Sequence, residues 1–262
     1  MLRPARWLAA LLLLCGPAAA ADLTLRIGGQ TRVLTQAELL ASPDAIEMPV
    51  PQTSPAARAV PLLQLLKGLP TDDVDTLEVQ ASDGFTSQIP MALVRKGAQG
   101  GSVAYMAVED PAKPWQPLPK GTGTAGPFYL VWQNPTLSGI TSEQWPWQVA
   151  TIVGVESPAH RWPQIAVAAG VGAAARHGQD VFVAQCMPCH RMKGGGSADV
   201  GPDLGRPMPA AAYLTEAGLR ALIRDPKAVR TWPQQQMVGF DRSMLSDADL
   251  DAVVAYLQAM AR

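Results

Sequence analysis

The sequence predicts a multidomain chain, in which an α+β region that is mostly β is followed by an all-α region. Short apolar runs bounded by turn residues predict strands at residues 23–27, 76–81, 128–132 and 148–153. Helical patterns interrupt these strands at residues 35–41 and 60–67. After the last strand pattern, only helical patterns occur, at residues 181–185, 210–224 and 247–261. We therefore divide the chain into a domain at residues 22–158, a linker at 159–172 and a domain at 173–262.

The composition supports a folded chain and argues against nucleic-acid binding. Of the 262 residues, 48% are hydrophobic and 16% are charged, which excludes an intrinsically disordered chain. The formal net charge is −1 and the pI is near 6.3, so the chain lacks the basic excess that neutralises phosphates. The 24 prolines and 23 glycines favour a fold with many turns over a long helical bundle.

Residues 1–21 have the pattern of a cleaved secretory signal peptide. Arg3 and Arg6 supply positive charge, an apolar stretch occupies residues 7–14, and small residues suit cleavage at 18–20. The apolar stretch is too short to cross a bilayer as a helix, which disfavours an uncleaved anchor. No later stretch predicts a membrane span in the mature chain. We therefore expect a protein exported to the periplasm.

The motif that carries chemistry is a CxxCH sequence at residues 186–190, which is typical of c-type haem attachment. The thiols of Cys186 and Cys189, one helical turn apart, can each add to one haem vinyl group, and His190 then lies under the iron. The alternatives are a CxxC redox disulfide and half of a zinc site. A redox motif is expected near a βαβ pattern, whereas this motif lies between predicted helices. A zinc site needs further soft ligands, and the mature chain has no other cysteine.

The sequence around this motif resembles class I cytochromes c along nearly all of residues 173–262. Gly178 and Phe182 stand where the family's N-terminal helix crosses its C-terminal helix, and Tyr256 stands as the aromatic partner. Ser246, with Asp249 three residues later, predicts the start of that last helix. The resemblance implies an all-α domain that carries one covalent haem c.

The resemblance also implies roles for residues near the haem. The sequence GPDL at residues 201–204 is similar to the family's GPxL segment. There the carbonyl group of Pro202 would accept the second imidazole N–H of His190, which fixes the orientation and basicity of the ring. Leu204 would pack on the haem edge. Trp232 would either donate its indole N–H to a haem propionate or pack as an ordinary apolar side chain.

A methionine in the loop before the last helix is the second axial ligand that the resemblance implies. Methionine opposite histidine raises the reduction potential and suits electron transfer. Met237, in the sequence Met-Val-Gly-Phe, is similar to the family's Met-Pro-x-Phe pattern, and Met244 is the second choice. Met192 is too close to the CxxCH motif, and Met260 ends a packed helix. For any single methionine, core filling is the commoner use.

Residues 22–158 have a fainter resemblance to the sulfite-oxidase-like molybdopterin-binding fold. Segments similar to that family occur in its order at residues 60–66, 77–85, 126–132 and 147–153. The family ligates molybdenum through a cysteine thiolate, and residues 22–158 contain neither cysteine nor histidine. We therefore expect no molybdopterin here and a domain used for docking. Trp115, Trp145 and Trp147 form either a contact surface or, as the preferred interpretation, part of the core.

Together these observations predict a periplasmic monohaem c-type cytochrome that passes single electrons between partner proteins. A six-coordinate iron leaves no position for a substrate, so we expect a carrier more than an enzyme. One alternative is a haem-containing molybdopterin oxidoreductase similar to sulfite dehydrogenases, which the missing cysteine disfavours. Another is a haem sensor or assembly factor, which would need a weak or absent methionine ligand.

Overall fold

The computed structural model describes residues 21–51, 53–118 and 123–262, so residues 1–20 of the predicted signal peptide lie outside it. The strands are β1 (Asp22–Ile27), β2 (Gln30–Thr35), β3 (Ile46–Val50), β4 (Ser54–Pro61), β5 (Thr76–Ala81), β6 (Thr86–Pro90), β7 (Val103–Val108), β8 (Phe128–Gln133) and β9 (Val149–Val155). We call the region that contains these strands the β domain.

Helices are short in the β domain and carry the fold after residue 172. They are α1 (Gln36–Leu40), α2 (Leu62–Leu65), α3 (Met91–Lys96), α4 (Pro158–Arg161), α5 (Ala173–Val181), α6 (Ala210–Tyr213), α7 (Glu216–Arg224), α8 (Pro226–Val229) and α9 (Asp247–Met260). We call residues 173–262 the helical domain and residues 158–172 the connecting segment. Within the described ranges, every helix is too short or too polar to cross a membrane.

The strands of the described residues form two sheets. The five-stranded sheet has the order β2-β1-β9-β5-β6, and the four-stranded sheet has the order β3-β4-β7-β8. All neighbouring strands are antiparallel except β1 and β9, which run parallel with Thr24 opposite Thr151. Because β9 lies in the middle of its sheet, the chain leaves the β domain beside β5, where the connecting segment begins.

One apolar core joins the two sheets. Leu25 and Leu77 of the five-stranded sheet and Leu130 of the four-stranded sheet are fully buried in it. A second apolar cluster covers the other face of the four-stranded sheet, where Trp115 packs near Tyr129. Since both faces of β8 are covered, its sequence is a continuous apolar run rather than an alternating one.

The tryptophans of the β domain pack inward. Trp115 is only 6% exposed, which confirms the core interpretation for this residue. Trp145 and Trp147 are half-buried beside the same cluster, and the rings of Trp147 and Tyr129 lie 6.3 Å apart. These side chains therefore stabilise the four-stranded sheet.

In the helical domain, α5 crosses α9 at very short range. A Cβ atom on Gly178 would lie 1.9 Å from the carbonyl oxygen of Ala252, so only glycine permits this approach. One turn later, the rings of Phe182 and Tyr256 pack with centroids 5.1 Å apart. The hydroxyl of Tyr256 donates to the carbonyl oxygen of Ile165 in the connecting segment, at 2.8 Å. The predicted helix crossing is confirmed.

Three predicted helices have different bounds in the structure. The helix predicted at 181–185 begins at Ala173 and continues as a π-helical turn at Phe182–Cys186. The helix predicted at 210–224 is broken into α6 and α7, because Thr215 caps a new helix by accepting the Gly218 amide on its side chain. At 60–67, β4 extends to Pro61 and leaves only the short α2.

The connecting segment ties the two domains together through a buried carboxylate. Glu78 of β5 forms a salt bridge with Arg161 of α4. The same carboxylate accepts the hydroxyl of Ser197, in the helical domain, at 2.7 Å, and the amides of Gln80 and Gln88. Burial alone would raise the pKa of Glu78, but these donors, with Arg161 first, hold it below its usual range. The ionised form is therefore the stable one.

Arg161→Ala should lower the free energy of unfolding by about 3 kcal/mol, because it leaves the Glu78 carboxylate buried without its cation. Urea unfolding of the full chain at pH 7 measures this change. The matched control is Arg242→Ala, since the Arg242 side chain, which pairs with Asp247, is 80% exposed, and solvent screening makes the loss of this pair far less costly. Equal decreases in the free energy of unfolding of the two variants would contradict a stabilising role for the pair of Glu78 and Arg161.

Candidate functional site

The CxxCH residues form one tight helical turn directly after the π turn. The Met187 amide donates to the carbonyl oxygen of Phe182 at 2.8 Å, across five residues. The amides of Cys189 and His190 then donate to the carbonyl oxygen of Cys186 at 3.1 and 2.9 Å. Residues separated by three and four positions share one side of such a turn. The two thiols and the imidazole are therefore brought to the same side.

The two thiols lack the character of a redox pair. Cys186 and Cys189 are free cysteines. Burial raises the pKa of each thiol to about 12, and the negative charge of Glu143 adds to the rise. Redox-active CxxC pairs have lowered thiol pKa values, because the thiolate is the attacking group. As for the zinc alternative, the described residues contain no group of three or more potential ligands from His, Cys, Asp and Glu.

His190 is held as a neutral ligand. Its Nδ1 lies 2.8 Å from the carbonyl oxygen of Pro202, which is the hydrogen bond that the sequence resemblance implies. A carbonyl only accepts, so Nδ1 carries the proton and Nε2 keeps its lone pair. Burial lowers the pKa of His190, against the opposing effect of the Pro202 bond. The ring is thus uncharged and oriented, as an axial ligand must be.

Gly201 allows this hydrogen bond to form. A Cβ atom at residue 201 would lie 2.6 Å from Cε1 and 2.7 Å from Nδ1 of His190. The Gly201 amide also donates to the carbonyl oxygen of Cys189 at 2.8 Å. The GPDL segment therefore runs directly against the imidazole.

Both candidate methionine ligands lie against the core of the helical domain. Met237 and Met244 are partly buried there, whereas Met192 and Met260 are fully within the core and Met208 is 54% exposed. The loop around Met237 is anchored by the amide of Phe240, which donates to Ile223 at 3.0 Å, and its own backbone is irregular.

Leu204 and Trp232 differ in exposure. Leu204 is half-buried against the helical core. Trp232 is 44% exposed, with the Arg230 guanidinium 5.4 Å from its ring centroid. Between Trp232 and Met237 lies Gln235, whose Nε2 is buried without a hydrogen-bond partner. No sequence motif marks Gln235, because its environment depends on how this loop folds back.

The β domain also contributes to the surroundings of the CxxCH turn. The Thr86 amide, at the start of β6, donates to the carbonyl oxygen of Pro188 at 3.0 Å. Ser142 donates its hydroxyl to Oε1 of Gln185 at 3.1 Å. The neighbouring Glu143 is buried enough to raise its pKa to about 7, partly offset by the Ser142 hydroxyl. Sequence reasoning missed these residues because they lie more than 40 positions from the motif.

Residues 175–261 match the protein family described as Cytochrome c. This match indicates a cytochrome c domain at residues 175–261, which implies covalently bound haem c and supports electron transfer. Among curated proteins, none is significantly similar to the chain. The match does not extend to residues 22–158, so the sulfite-oxidase-like resemblance stays a prediction, and nothing in it indicates molybdopterin.

The residues of the helical domain fit a covalent haem. Two free thiols and a neutral imidazole lie on one side of a single turn. The glycine at residue 201 leaves the imidazole room beside Pro202. The orphaned amide of Gln235 is a buried donor that needs an acceptor, and a haem propionate is such an acceptor. Gln235 lies three residues after Trp232 and two before Met237, which agrees with a loop that wraps around the haem.

Gly201→Ala should lower the free energy of unfolding of the haem-loaded protein by about 2 kcal/mol, because the added methyl group collides with the His190 ring. Denaturant unfolding measures the change. Gly172→Ala is the matched control, since a Cβ there meets nothing within 4 Å, and its φ of −59° suits alanine. A Gly201 variant as stable as this control would show that the ring is not confined as described.

Proposed function

We propose that this protein is a periplasmic monohaem cytochrome that carries single electrons between partner proteins. Cys186 and Cys189 would hold the haem through thioether bonds, and His190 and Met237 would bind its iron. The observation that carries the proposal is the CxxCH turn with His190 Nδ1 bonded to Pro202, within a segment that matches the Cytochrome c family.

Bound haem would supply one-electron redox chemistry. The residues of the chain would hold the haem and set its reduction potential. The carbonyl oxygen of Pro202 accepts from the imidazole and so increases the basicity of the nitrogen that faces the iron. Leu204 would line the haem, and Gln235 and Trp232 lie on the loop where propionates would accept their N–H groups. With a histidine and a methionine as its two protein ligands, the iron would have no free position for a substrate.

Met237 is preferred over Met244 because of the backbone around each. The Met244 amide donates to Asp241, and its carbonyl oxygen accepts from Gln185 at 3.0 Å. Its backbone is therefore held on both sides, two residues before Ser246, the N-cap of α9. Met237 lies in an irregular loop that can place its thioether opposite His190.

Export and partner binding belong to the same proposal. The signal-peptide pattern of residues 1–21 supports a periplasmic protein, the compartment in which c-type haem is attached. The β domain serves as a docking module for redox partners, whose contacts with a carrier are weak and transient. With no cysteine in residues 22–158, the β domain lacks the thiolate that a molybdenum centre of the sulfite-oxidase type uses.

Elemental analysis and haem detection test the attachment residues. Protein matured in a periplasm should contain one iron and no molybdenum per chain. A double variant, Cys186→Ala with Cys189→Ala, should carry no covalent haem on a denaturing gel, because both thioether bonds are lost.

Two results would count against this assignment. Covalent haem in the double variant would mean that the CxxCH turn is not the attachment site. Stoichiometric molybdenum in the wild-type protein would favour an oxidoreductase instead of a carrier.

Met237→Ala should abolish the far-red methionine–iron charge-transfer band of the oxidised protein and lower its reduction potential, since the thioether ligand is removed. Absorption spectra of the purified haem protein measure the band. Covalent attachment should be unaffected, because the cysteines are unchanged.

Met208→Ala is the control for this experiment, as its side chain is exposed on the helical domain. Met244→Ala should also retain the band. If the band survives in Met237→Ala and is lost in Met244→Ala, the second axial ligand is Met244.

A further inference from the structure

The β domain packs against the chain at the start of the CxxCH turn. A 3₁₀ turn at Ser142–Gln144 and strand β6 both pack against the π turn at Phe182–Cys186. Two hydrogen bonds fix this contact, from the Thr86 amide to Pro188 and from the Ser142 hydroxyl to Gln185. The contact therefore reaches into the CxxCH motif itself.

Charged residues of the β domain lie close to the two sulfurs that would bind the haem. Thioether bonds to haem would form at the Sγ atoms of Cys186 and Cys189. A charge that acts on these sulfurs would therefore also act on the bound haem. Glu143 belongs to the 3₁₀ turn that packs against the π turn ending at Cys186, and its charge adds to the rise in the pKa of the Cys186 thiol.

Glu143 has little to neutralise its charge. Its carboxylate lies 3.2 Å from the Ser142 hydroxyl, whose single proton it shares with Oε1 of Gln185, and its backbone carbonyl accepts the hydroxyl of Ser87 at 2.8 Å. In the part of the chain that the structure describes, Glu143 forms no salt bridge. Glu143 is half-buried, and an uncompensated charge there acts on its neighbours with less screening than one in bulk water.

We propose that Glu143 is a tuning residue by which the β domain lowers the reduction potential of the haem. Reduction adds one electron to the iron and transfers no atom, so it removes one unit of positive charge. A nearby carboxylate stabilises the oxidised form more than the reduced form. This inference rests on the proposed electron-carrier function and gives the β domain a role in it besides docking.

The test is the midpoint potential of the full-length haem protein at pH 8, by spectroscopic titration with dithionite and ferricyanide. Glu143→Gln keeps the shape and removes the charge. We expect the equilibrium constant for reduction to increase by roughly tenfold, equal to about 59 mV for a one-electron couple. Glu143→Asp, which retains the charge, should stay closer to the wild type.

Glu47→Gln is the matched control, because Glu47 is exposed on the edge strand β3 of the other sheet. It should change the equilibrium constant by less than about twofold. The same small change in Glu143→Gln, with an intact haem spectrum, would overturn the tuning role. Loss of covalent haem or of reversible reduction in the wild-type protein would instead refute the electron-carrier function.

Glu143→Ala keeps the proposal testable if Glu143→Gln fails to mature. It also removes the charge, and it leaves the backbone carbonyl group that accepts the Ser87 hydroxyl. We expect a potential above that of the wild type. An unchanged potential in this variant would overturn the proposal.

Discussion

The close approach of α5 and α9 at Gly178 sets the direction in which the CxxCH turn leaves α5. With Gly178 against the Ala252 carbonyl group, α5 can only continue towards Phe182, which packs on Tyr256. The π turn then adds one residue to a helical turn and rotates the subsequent residues by about 100° relative to a regular helix. Cys186 ends this turn. The direction in which the CxxCH turn faces is thus a consequence of one glycine and one irregular turn.

The second constraint is the carboxylate of Glu78, which is shared by three parts of the chain. It belongs to β5 and binds Arg161 of the connecting segment and Ser197 of the helical domain. A buried carboxylate cannot be left without these donors, so the three parts are held together as the chain folds. The β domain is consequently fixed against the CxxCH turn, where Thr86 bonds to Pro188. The two domains share a polar interface that reaches the proposed haem-attachment residues.

A structural element can be predicted from the sequence when the contacts that stabilise it follow a local pattern of residues. The strands β1, β5, β8 and β9 are predictable because their apolar side chains fill cores. Strand β6 escapes prediction because it is polar yet buried, with Ser87 bonded to Glu143 and Gln88 to Glu78 across other elements. The CxxCH motif is recognisable from local spacing, whereas Glu143 acts on it from 43 positions away. Local patterns carry no information on such contacts.

Glu143 is costly to the fold, and this cost supports a role in function. Burial raises its pKa from an ordinary 4.5 to about 7, so its ionisation favours the unfolded chain as the pH rises through that interval. A glutamine could keep the Ser142 hydrogen bond without the charge. Residues that destabilise the folded state are expected at functional sites. Glu143 is such a residue, and it lies in the turn that packs against the π turn ending at Cys186. There its negative charge would act on bound haem.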